Sequence, residues 1–95
     1  AIEIVRLHLP HIGAPLAGDV ARAADALRAH PLRKPPGIAE SLDWAQTLAL
    51  LGAERLDDAV FEPSLGSVLK YPEDLDVARG AARAVIAAAR AEGAA

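Results

Sequence analysis

Two adjacent cations, Arg33 and Lys34, stand directly before Pro35, Pro36 and Gly37, and an apolar helical pattern begins immediately behind them. Positive side chains at a helix start oppose its dipole and gain nothing locally. A helix N-terminus flanked by an arginine and a lysine can instead receive an anion such as a phosphate, because unpaired N–H groups and positive charge converge there. The same pair also fits a plainer reading, a solvated loop matched by Glu40 or Asp43 in the following turn. Spacing alone leaves both open.

The other reactive residue types group less well. His8 and His11 are three apart, but Pro10 lies between them and breaks the helix, and no third ligand is at hand, so no metal site is expected. Asp57, Asp58, Glu73, Asp74 and Asp76 fall at helix starts, where capping and the helix dipole account for them. Ser41, Ser64 and Ser67 have no histidine–acid context that would make a nucleophile. The pattern G-x-x-x-x-G-K-[ST] is absent, as is an apolar strand ending in acids that could hold magnesium. No catalytic centre for ATP, and no catalytic residue of any kind, is expected within the chain. With no cysteine there is no disulfide and no thiolate chemistry.

These residues must be positioned by helices. Of 95 residues, 23 are alanine and three are aromatic (Trp44, Phe61 and Tyr71), a composition that favours closely packed helices over a sheet. Prolines and glycines cut the chain into five helical stretches. The first covers Ala1 to Leu9, with Ile2, Val5 and Leu9 on one stripe. The second carries Leu16, Val20, Ala23, Ala24 and Leu27, with Asp19, Arg22 and Arg28 facing away, and ends at His30-Pro31.

The third runs from about Gly37 to Leu51. It has Ile38, Leu42, Ala45 and Ala49 on one face, flanked by Trp44, Leu48 and Leu51, and is expected to be the most buried. Gly52 stops it. The fourth follows an Asp57 cap and is made irregular by Pro63 and Gly66. The fifth starts at Tyr71-Pro72 and continues to about Ala91, after which the end should fray. A single all-α domain, a small bundle of four to five helices over residues 1–95, is the expected fold.

Net charge is −3 and the pI is near 5.5, so nucleic acid and anionic lipid are not general partners. No apolar run of about 20 residues is present to cross a membrane, and the cytoplasm is the expected compartment. The chain has no methionine, even at position 1, and its helical pattern begins at once. It therefore reads as a piece of a longer protein.

The segment Lys34-Pro-Pro-Gly-Ile-Ala-Glu-Ser-Leu-Asp-Trp-Ala45, then Leu48-Ala-Leu-Leu-Gly52, then Leu65-Gly-Ser-Val-Leu-Lys-Tyr-Pro-Glu-Asp74, resembles the C-terminal end of MoxR-type AAA+ ATPases. The branch it is most similar to includes accessory ATPases of carbon monoxide dehydrogenase maturation. Glu3 to Pro10 looks like that family's first lid helix. The resemblance covers nearly the whole chain, with Lys34 to Trp44 its most specific stretch.

It implies a helical lid beside a nucleotide pocket, relaying the ATP state between subunits of a homo-oligomeric ring. ATP and Mg would belong to the full-length parent. The partners implied are the ATPase core domain, neighbouring subunits and a von Willebrand factor A domain protein, in chaperone-like or metal-centre maturation work. The family's sensor arginine lies in a Ser-Pro-Arg-Ala stretch. Here an ungapped comparison puts Pro36 at that place, and Arg33 and Lys34 are the nearest cations, so they are the candidate phosphate contacts. The alternative is a free-standing helical adaptor that binds a protein partner.

Overall fold

The computed structural model describes residues 2–91. Ala1, assigned from sequence to the first helix, and residues 92–95, where fraying is expected, lie outside them. The fold is all-α, a small helical bundle as expected. Its elements are α1 (Ile2–His8), α2 (Ala14–Arg28), α3 (Ile38–Leu50), α4 (Asp58–Ser64) with a 3-10 turn at Leu65–Ser67, α5 (Pro72–Gly80) and α6 (Ala82–Ala89). No described helix is long and apolar enough to cross a membrane.

The centre is α2, not α3. Leu16, Ala17, Val20, Ala23, Ala24 and Leu27 are all buried, and the helix packs against α1, α3 and most extensively α6. Its small residues allow this, because alanine and glycine let neighbouring backbones close in from several sides. On α3 the buried positions are Ser41, Trp44, Ala45 and Leu48. The expected face built on Ile38 and Leu42 is rotated: Ile38 is 53% exposed and Leu42 only half-buried. Trp44 sets that rotation. Its ring is fully buried, meets Phe61 edge-on with centroids 6.1 Å apart, and donates from Nε1 to Ser64 Oγ at 2.7 Å. The single Ser64 O–H donates in turn to the carbonyl of Val60 at 2.7 Å, with that of Phe61 also in reach at 3.0 Å, so the buried indole N–H has a satisfied partner.

Helix ends follow their local chemistry. Gly52 takes φ +80°. Its N–H donates to Ala49 O, and the Ala53 N–H donates to Leu48 O, each at 3.0 Å. That is a Schellman termination, in which a left-handed residue closes the last turn. Asp57 caps α4 by accepting the Val60 N–H at 3.2 Å. Pro63 lacks the N–H that would continue the helix, and the chain tightens into the 3-10 turn.

The fifth expected helix is two. At Ala81 the backbone turns to φ −103°, ψ 7°, and α6 begins behind it, with Val85 and Ala89 seated in the core. Gly80, a weak helix former, sits at the break.

Candidate functional site

Arg33 and Lys34 lie in the connector between α2 and α3, and that connector is tied down along its length. The carboxylate of Asp74, in the first turn of α5, is 1% exposed. It accepts the Arg33 N–H at 2.7 Å and the Lys34 N–H at 3.0 Å, one on each oxygen. Two residues after Lys34, Pro36 O accepts from the Arg28 guanidinium of α2 at 2.8 Å, which also pairs with Asp25. Pro36 itself is buried. A loop of two prolines, clamped by one acid and one base, is stiff enough to aim side chains.

The two cations differ in what they do. The Arg33 guanidinium lies over the Tyr71 ring, 4.2 Å from its centroid, and reaches Glu73 at 3.5 Å. It is a strut across the start of α5. The Lys34 side chain is exposed on the connector. The N-terminus of α3 already holds a carboxylate: the Gly37 N–H donates to Glu40 Oε1 at 2.9 Å. That bond, with the helix N–H of Glu40 itself and the charges of Lys34 and Lys70, holds the Glu40 carboxyl below the ordinary glutamate range against a small opposing effect of burial. A phosphate arriving at this helix end would have to displace Glu40 to reach the amides.

Lys70 was not singled out by the sequence, and its position two residues before Pro72 is the only signal that the start of α5 would bring it near Glu40. Beside the connector, Ile4, Val5, Ala21, Ala24, Arg28 and Ile38 line an apolar groove of about 300 Å³ between α1, α2 and the start of α3. The connector's Pro36 and Gly37 close one side of it.

The other candidates separate. His8 donates to the Ile4 carbonyl one turn back at 3.0 Å, and His11 meets Gln46 Oε1 at 3.1 Å. Among the described residues no three metal-binding side chains are grouped. Ser64 serves Trp44, and the Ser67 hydroxyl donates to Ser64 O. Asp76 pairs with Arg79, which also holds Glu62. Asp19, expected to face outward, is instead fully buried. It stands three residues after Leu16 and four before Ala23, inside the apolar stripe of α2. Arg55 and the Leu56 N–H come to it from the α3–α4 loop. Compared with known protein families, curated proteins and solved structures, the chain has no match.

Proposed function

We propose that the chain is the C-terminal helical lid of a MoxR-type AAA+ ATPase, acting in ATP sensing and ring assembly rather than in bond cleavage. The reading is carried by the clamped connector: a rigid loop offers Lys34, with Lys70 and Arg33 nearby, at the joint start of α3 and α5. A lid needs a cation on a fixed backbone, presented to phosphates that another domain holds. The all-helical bundle and the groove beside the connector are consistent with it. ATP and Mg belong to the parent's core domain, and the contacts are that core and the neighbouring subunit of a homo-oligomeric ring in the cytoplasm. A von Willebrand factor A domain protein is the further partner of that assembly.

The test is turnover by the ring ATPase that contains this chain. Lys34→Ala slows ATP hydrolysis or raises KM for ATP, while the isolated chain hydrolyses none and binds ATP weakly at most. Unchanged turnover and unchanged nucleotide affinity in both Lys34→Ala and Arg33→Ala overturn the assignment. The adaptor alternative rests on a different observation, the exposed Leu50 (79%) and Leu51 (51%) at the far end of α3. A parent gene with no phosphate-binding loop upstream of residue 1 decides for it.

A further inference from the structure

We propose that Asp74 is a positioning residue that acts through Lys34. Among the described residues two acids are buried, Asp19 and Asp74. Asp19 faces a guanidinium, whereas the two oxygens of Asp74 are spent on the amides of Arg33 and Lys34, 41 and 40 residues away in sequence. Such charge-assisted bonds are about twice as strong as neutral ones. They make the connector an extension of α5. The Arg33 side chain braces the same joint through Tyr71 and Glu73, although a pair this exposed contributes little by itself. The place from which the Lys34 side chain starts is therefore tied to α5 at its backbone, and a shift of α5 would carry that starting point with it. The functional half of this inference rests on the lid reading; the mechanical half does not.

Amide hydrogen exchange in the chain tests the mechanical half. In Asp74→Asn the Arg33 and Lys34 amides exchange about tenfold faster or more, the change implied by losing a hydrogen bond to a charged acceptor. The Leu56 amide, held by Asp19, keeps its rate. Unchanged rates at Arg33 and Lys34 overturn the proposal. Where Leu56 also accelerates, Asp74→Glu decides: a carboxylate on a longer stem that restores protection at Arg33 and Lys34 supports the latch, and equal loss overturns it.

In the ring ATPase, Asp74→Asn raises KM for ATP, and combining it with Lys34→Ala gives no further loss beyond Lys34→Ala alone. Additive losses overturn action through Lys34. A silent Lys34→Ala overturns the lid reading, while the exchange result still judges the latch.

Discussion

Arg55 meets Asp19 through two hydrogen bonds, Nε to Oδ2 at 2.9 Å and Nη2 to Oδ1 at 3.0 Å, and so closes a carboxylate into the middle of the bundle. Burial alone would push the Asp19 carboxyl up. The Arg55 hydrogen bond, the Leu56 N–H and the charges of Arg55 and Arg90 outweigh it and hold the carboxyl below its ordinary value. A carboxyl lowered by folding adds stability above its unfolded value of about 3.9 and loses it as pH falls through the folded value. The melting temperature should therefore fall as pH is taken from about 5 to about 3, and this fall should be smaller in Asp19→Asn. Thermal scans at stepped pH check it; an equal acid sensitivity in Asp19→Asn would refute the linkage.

Asp19→Ala should cost about 3 kcal/mol, the lower end for breaking a buried pair, because Arg55 is partly exposed and regains water. Urea denaturation measures this directly, and a cost under about 1 kcal/mol would mean that the pair does not hold the α3–α4 loop.

Trp44→Ala should cost about 3–5 kcal/mol, since it empties the largest fully buried side-chain position and strands the Ser64 acceptor. Trp44→Phe keeps the ring against Phe61 and loses the N–H, so its cost should be smaller, on the order of 1–2 kcal/mol. A melting temperature unmoved by Trp44→Ala would contradict the packing described.

Gly52→Ala isolates backbone strain. No atom lies within 4 Å of the added methyl, so only the positive φ is penalised. The expected loss is about 1 kcal/mol, equivalent to a drop of about 4–8 °C in a domain of this size. Gly80→Ala should have the opposite sign. It too meets open space, its backbone is not left-handed, and it should gain about 0.4–1 kcal/mol. Paired thermal melts of the two variants make the comparison.

The all-helical class, the Asp57 cap, the Gly52 stop and the burial of Trp44 were legible because each is written in local chemistry. A side-chain oxygen two or three residues from an N–H, a glycine behind an apolar run and a large aromatic ring carry their meaning over a few residues. The buried face of α3 is not legible locally, for a reason of scale. Ile38 and Leu42 fit the period as well as Ser41 and Leu48 do, and the choice fell to where Trp44 finds Ser64, 20 residues on. At Asp19 position overrides charge: the stripe from Leu16 to Ala23 contains it, and it is buried there. Its partner Arg55 has no local mark at all. Within the candidate site, Arg33 and Lys34 were visible as a pair of charges, but their division into a strut and a presented cation depends on Tyr71 and Asp74, and no pattern in the connector names either.

Asp19 also bears on the order in which the chain assembles. Within α2 the central carboxylate meets Arg22 at 3.4 Å, while its closer partners Arg55 and Leu56 arrive from 36 and 37 positions downstream. Leaving that charge in a closing apolar interface without them carries a desolvation penalty of several kcal/mol. The turn after α3 therefore completes a neutralisation of Asp19 that Arg22, one turn along α2, only begins, and an intermediate in which α2 docks before that turn arrives retains part of this penalty.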